Sequence, residues 1–404
     1  MMFAGIGRIM KKNSLADRWL LDPEVVFLNH GSFGATPKAV LEEQDRIRRR
    51  IERQPLLFFD HDYLGELDQA RAALGRFLGA RTDDLAFVVN ATTGVNTVLR
   101  SLRLERGDQL LVTDHEYNAC RNAIDAVAED SGANVVVASI PFPVSSEGAV
   151  VDAVFEKVSP RTRLLLIDHV TSQTGMVLPI ERVVAEARAQ DVDVLVDGAH
   201  APGMVALDLD ALGATYYTGN LHKWVCAPKG AAFLHVRADR RDGVRPLVIS
   251  HGANARPVKR SRFHLEHDWT GTRDPSAWLS VPKALREMES MVKGGWDDVR
   301  RRNRDLALEG RDVLCEALGI DSPCPDTMIG SLASLQLPDG DTGSVNELFP
   351  FDKLQERLFK DYRIEVPVIA WPSPPQRVIR ISAQLYNSRW HYEVLAEALV
   401  EILA

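Results

Sequence analysis

In TGNLHKWVCAPKG, residues 218–230, the first of two lysines is hemmed in by mixed neighbours. Lys223 follows His222 and precedes Trp224, with Gly219 and Asn220 upstream and a Pro228-Lys229-Gly230 turn downstream. A lysine drawn out of water loses its preference for the charged form and becomes a usable base or nucleophile. Further upstream, VDVLVD (192–197) ends the apolar run Val194-Leu195-Val196 at Asp197, and VDGAHAPG places His200 three residues on. A carboxylate that ends a buried run needs a cationic or N–H partner. It either caps the next helix or pairs with a protonated ligand nitrogen. Three other stretches carry similar polar sets. NATTGVN (90–96) opens a helix with small and hydroxyl residues, which reads either as a phosphate cradle or as a plain cap by Thr92 or Thr93. TDHEYNA (113–119) contains Tyr117, and DHVTSQTG (168–175) contains Ser172.

These residues must be positioned by a sheet. From about residue 85, short Val/Leu/Ile runs alternate with helical stretches: LAFVV (85–89), QLLVT (109–113), NVVVAS (134–139), RLLLID (163–168), VDVLVD (192–197) and GAAFLHV (230–236). Continuous apolar runs mark strands buried on both faces, as in a mostly parallel sheet covered by helices. In such sheets ligands bind beyond the carboxyl ends of the strands, where all the polar sets fall. After about residue 275 the rhythm changes. A long helical stretch (276–318) leads to strand candidates 330–338, 363–371 and 377–385, with helices near 351–361 and 391–403. The expected organisation is an N-terminal segment (1–35), a large domain (36–275) and a smaller α+β domain (276–404).

One chemistry uses the whole set. Pyridoxal phosphate requires a phosphate cradle, an acid at its pyridinium nitrogen, an aromatic face and a Schiff-base lysine. Rival readings lack their residues. There is no G-x-x-x-x-G-K-[ST], and GIG (5–7) has Met10 where the third glycine of a dinucleotide fingerprint belongs, with no strand before it.

Composition narrows the class. Hydrophobic residues are 45% and charged residues 26%, as in soluble globular chains, and the net charge of −8 does not favour nucleic acid or acidic membranes. The basic run Arg46–Arg50 is flanked by Glu42, Glu43, Asp45 and Glu52 and reads as a solvated helix face. Cys120, Cys226, Cys315 and Cys324 form no C-x-x-C pair, which argues against a disulfide framework and a zinc site. The opening MMFAGIGRIMKK lacks the order of a signal peptide, and no run is long enough to cross a bilayer, so the expected location is the cytoplasm.

With these motifs assembled, the sequence resembles the class V aminotransferase family of pyridoxal phosphate enzymes, and within it the isopenicillin N epimerase-like branch. The resemblance runs from about Phe27 to the C-terminus and rests on FLNHGSFGATP, NATTGVN, DHEYNA, DHVTSQTG, VDGAHAPG, TGNLHKW, WTGTRDP and RISAQLYN. It implies an α/β architecture of the aspartate aminotransferase-like kind, fold type I, with a seven-stranded, mostly parallel sheet in the large domain. It also implies residue roles. Lys223 would carry the cofactor, Asp197 would bind its ring nitrogen, and His200 would lie near its ring oxygen. Tyr117 would stack on the ring, where related desulfurases carry histidine after a glutamate. Ala91, Thr92, His222, Ser172 and Asn220 would serve the cofactor, with Asn220 standing where many relatives have serine. Gly271 and Thr272 would reach the phosphate of the neighbouring subunit, giving an obligate homodimer with shared sites. Arg380 would hold the substrate α-carboxylate, which its planar fork suits.

The implied reaction begins with removal of an α-proton from an amino acid by Lys223. Epimerisation, transamination and β-elimination branch from there. A desulfurase needs a nucleophilic cysteine in the loop before the carboxylate-binding arginine, and EVPVIAWPSPPQ (365–376) has none. The expectation is an epimerase-like enzyme, with a C–S lyase or a class V aminotransferase as the alternative, and a non-catalytic cofactor-binding regulator as a weaker one. Tyr117 and His30 are the candidates for a second proton donor. Asn29, His30, Ser32, Tyr217 and the loop 250–260 are the candidates to line the substrate pocket.

Overall fold

The computed structural model describes residues 15–256, 259–340 and 352–404. GIG (5–7) and part of the loop 250–260 lie outside them. The short strand β1 (Val26–Phe27) is followed by β2 (Leu85–Val88), β3 (Gln109–Thr113), β4 (Asn134–Ala138), β5 (Thr162–Asp168), β6 (Asp193–Asp197), β7 (Tyr216–Asn220) and β8 (Ala232–Val236). The last seven form one sheet in the order β2-β8-β7-β6-β5-β3-β4. Every pairing is parallel except those of β8, which runs antiparallel to β2 and β7. Each apolar run lies in a strand, and β7 comes from YYTGN, which supplies the seventh. Leu164, Leu165, Leu166 and Ile167 of β5 are fully buried, as a strand covered on both faces requires. Apolar clusters lie on both sides of the sheet.

The remaining strands are β9 (Leu332–Leu337), β10 (Ile364–Glu365), β11 (Val368–Ala370) and β12 (Arg377–Ser382). β11, β12 and β9 form an antiparallel sheet, while β10 pairs in parallel with β1, which ties the N-terminal segment to the C-terminal part. The expected strand 363–371 is therefore two strands in two sheets. Pro367 stands between them and has no N–H to continue a ladder. The expected helical stretch 276–318 is three helices, Ser276–Leu279, Val281–Ser290 and Gly295–Leu318. Pro282 starts the second, and Gly295, at φ 61°, breaks the run before the third.

The basic run lies on the helix Lys38–Arg53. Arg46 pairs with Glu43, Arg48 with Asp274 and Arg50 with Glu66, so these charges are matched on the protein itself. Among the described residues, no helix is long and apolar enough to cross a membrane.

Candidate active site

Parallel strands bring their carboxyl ends to one edge, and the expected residues gather there. Asp168 and Asp197 end neighbouring strands and are register partners. Asn220 ends β7, and the turn after it carries His222 and Lys223. Two glycines let other segments close on that turn. A Cβ on Gly203 (φ 89°) would meet the Trp224 carbonyl at 2.7 Å, and one on Gly34 (φ 69°) would meet the His222 carbonyl oxygen at 2.1 Å. Only glycine fits both the left-handed backbone and the close approach.

Lys223 Nζ lies 2.9 Å from His200 Nε2. Burial, then the nearby Arg380 guanidinium, lowers the Lys223 pKa to about 7. Burial, then Lys223, holds His200 well below its usual range, so His200 is neutral. The Trp224 indole N–H reaches His200 Nδ1 at 3.5 Å, which leaves the imidazole proton on Nε2, facing Lys223. A neutral lysine amine accepts that proton's hydrogen bond.

Asp197 Oδ1 accepts from the Ala199 N–H at 2.9 Å, and Oδ2 accepts from the Cys120 thiol at 3.1 Å. It caps no helix, since that N–H belongs to its own turn. Tyr117, 40% exposed, leaves the end of β3 at the start of the helix Asn118–Ser131 with its ring open above this floor. Burial raises the Tyr117 pKa, so its phenol keeps its proton.

At the helix Ala91–Leu99 the cap is Asn90, not Thr92 or Thr93. Asn90 Oδ1 accepts the Thr93 N–H at 2.8 Å. Asn220 Oδ1 accepts the Ala91 N–H at 2.9 Å. The Thr92 N–H remains for an anion at this helix terminus. His222 presents a buried, unpartnered Nδ1, and burial lowers its pKa to about 4. This free N–H and the open imidazole nitrogen, with Asp197 and Lys223, fit a phosphorylated pyridine bound through an amine.

Arg380 on β12 is buried beside them. Its guanidinium bonds the Ser172 carbonyl and, at 3.0 Å, Ser32 Oγ, leaving Nε unpartnered. Ser32 Oγ in turn donates to Asn29 Oδ1 at 2.5 Å. Asn29 and Ser32 thus hold the arginine. Ser172 touches it through its main chain.

Several candidates sit elsewhere. His30 is fully buried, with Nδ1 on the Tyr386 hydroxyl at 2.9 Å and Nε2 on the Lys223 carbonyl at 3.0 Å. It braces the lysine turn from behind instead of facing a substrate. Tyr217 is also fully buried, its hydroxyl 2.8 Å from His169 Nδ1, because strand alternation turns it beneath Gly198. Arg260, from the loop 250–260, is paired with Asp268 and Asp68. Gly271 and Thr272 lie on an open stretch, with Thr272 exposed and nothing within 4 Å of a Cβ on Gly271.

Sequence reasoning missed Glu116 and Asp168. Both are buried at strand ends, with unpartnered carboxylate oxygens. An acidic residue where an apolar strand stops was the available signal. A second acidic group, Asp84, Asp210 and His235, lies near the other end of the strands. Arg81 and Arg241 already pair with Asp84.

The chain is similar to known proteins over most of its length. The family described as aminotransferase class V matches residues 53–343. The chain is 37% identical over 401 residues to isopenicillin N epimerase of Amycolatopsis lactamdurans, covering 95% of this chain and 96% of that one. It is 33% identical over 405 residues to a probable chloroplastic L-cysteine desulfhydrase of Arabidopsis thaliana, covering 94% and 83%. Among solved structures, the cystine C–S lyase C-DES in complex with cysteine persulfide superposes with a TM-score of 0.79 at 21% identity, covering 94% and 98%. A lysine-to-alanine variant of C-DES carries glycine covalently linked to its pyridoxal phosphate. The architecture is fold type I, and the chain belongs to the class V aminotransferase family.

Proposed function

We propose that this protein is a pyridoxal phosphate enzyme that removes and returns the α-proton of an amino acid, as an isopenicillin N epimerase-like isomerase. The observation that carries this reading is the Lys223–His200 contact of 2.9 Å, with the lysine pKa lowered to about 7. A base working near neutral pH needs that value.

When bound, pyridoxal phosphate supplies an electron sink for the charge left at the α-carbon. The residues do the rest. Asp197 would hold the ring nitrogen, and the Thr92 N–H and His222 would hold the phosphate. Ala91 and Asn220 support that cradle through their mutual hydrogen bond. Arg380, oriented by Ser32 and the Ser172 carbonyl, holds the α-carboxylate. Lys223 Nζ takes the α-proton, and the Tyr117 phenol returns one on the opposite face. His30, locked between Tyr386 and the Lys223 carbonyl, keeps the turn in place. Gly271 and Thr272 complete the site of a second subunit.

A C–S lyase is the second reading, favoured by the desulfhydrase relatives. A desulfurase is not supported. Cys120, Cys226 and Cys324 are buried, and burial raises the pKa of all four thiols. Borohydride reduction of the holoenzyme followed by peptide mapping tests the assignment. The reduced cofactor is expected on Lys223, and a label on Lys229 overturns it.

A further inference from the structure

The mechanism above leaves Glu116 without a task. It ends the turn after β3, is 5% exposed, and has both carboxylate oxygens unpartnered. An ionised carboxylate in that position is costly, because nothing replaces its water. Its surroundings make ionisation costlier still. Carboxylate oxygens of Glu116 and Asp197 and the Cys120 sulfur all lie within 4.8 Å of one another. The other groups facing this space are Asp168 from β5, Tyr117 from its own helix and Lys223 from the turn after β7. Lys223 is the only basic side chain among these groups, and its amine is engaged by His200.

The acids are not equivalent. Asp197 accepts the Ala199 N–H and the Cys120 thiol, both of which favour its charged form. No donor meets Glu116 in hydrogen-bonding geometry; the Tyr117 N–H and the Cys120 thiol lie near it and only temper the shift that burial and Asp197 impose. Two carboxylates this close in a buried site do not both ionise, and the proton goes to the one with fewer donors. We propose that Glu116 is a positioning residue for Asp197: an uncharged acid that offers its proton to the Asp197–Cys120 pair and leaves Asp197 the single negative charge of that cluster, aimed at the cofactor's ring nitrogen. Burial, then Asp197, raises the Glu116 pKa well above the usual carboxylate range, in agreement. The proposal rests on the reading of Asp197 as the ring-nitrogen partner.

Gln is the uncharged donor of the same shape, so the test is rescue. In holoenzyme, Glu116→Ala should weaken cofactor binding about tenfold and shift the pH midpoint of the cofactor's visible band, while Glu116→Gln should return Kd to within about threefold of wild type. Glu116→Gln behaving like Glu116→Ala would mean the charge is needed, and overturns the proposal. A second measurement needs no cofactor. The infrared difference spectrum of wild type minus Glu116→Gln should contain a protonated-carboxyl band from about pH 6 to about pH 8, and its absence also overturns the proposal. If Glu116→Gln does not fold, carbon NMR of wild-type protein labelled at the glutamate carboxyls reads the same protonation state. A protein that shows the infrared band but no visible cofactor band would instead undo the cofactor reading.

Discussion

Lys223 Nζ and His200 Nε2 stand 2.9 Å apart, and the Trp224 indole N–H fixes which of them holds the shared proton. Burial, then the Arg380 guanidinium, brings the amine's pKa down to about 7. Capture of pyridoxal phosphate by apoprotein should therefore speed up as pH rises through about 7 and then level off, because the neutral amine is the reactive form. Stopped-flow absorbance checks this. A rate that keeps climbing toward the ordinary lysine pKa would show that the lysine is not shifted. His200→Phe removes the partner and should move the midpoint.

Arg380 is a buried cation held by neutral groups, with Nε left open. Arg380→Ala should raise the KM for any α-amino acid substrate by an amount equivalent to about 2–5 kcal/mol. Arg380→Lys should recover little, since a point charge cannot match the planar fork. Steady-state kinetics with an amino acid and with the amine lacking its carboxylate separates the cases. Equal loss on both would mean the effect is structural.

His30 adds an acid-sensitive element. Burial lowers its pKa to about 3 from 6.5, so the unfolded chain binds its proton first as pH falls. Its contribution is full above about pH 6.5 and declines as pH drops toward about 3. At about pH 5 the loss is about 2 kcal/mol. Urea melts of wild type and His30→Gln across this window should show a shallower acid loss in the variant. Parallel curves would contradict the assignment.

Leu56, Leu57 and Leu64 are exposed on the segment whose Phe59 and Tyr63 rings pack against Trp269, next to Gly271 and Thr272. Exposed apolar residues beside an open phosphate-site candidate fit a subunit interface. Sedimentation should find a dimer, and Leu56→Asp with Leu64→Asp should weaken both the dimer and cofactor binding. A monomer that holds cofactor tightly would contradict the shared site.

Much of this site was legible because strand topology converts a linear pattern into a place. Asp197 ends an apolar run, Tyr117 follows one and Lys223 follows β7, and parallel strands bring such ends to one edge. Glu116 was not legible, because its meaning depends on Asp197, which only the fold brings near. His30 was misread for the same reason: its sequence neighbours are small and polar, but its contacts are Tyr386 and the Lys223 carbonyl. Asn90 took the cap from Thr92 and Thr93 because the helix begins at Ala91, two residues earlier than a Thr92 cap would start it. In the C-terminal part, single residues divided what periodicity joined, Pro367 in a strand and Gly295 at the start of a helix.

The central claim is that one proton leaves the α-carbon to Lys223 and another returns from the opposite face. Incubating holoenzyme with a panel of L-amino acids and cysteine conjugates in deuterated water measures this directly. The account predicts α-deuterated product of both configurations, with no pyruvate. Pyruvate and ammonia from a cysteine conjugate, without accumulation of the D-isomer, would contradict it and establish the lyase.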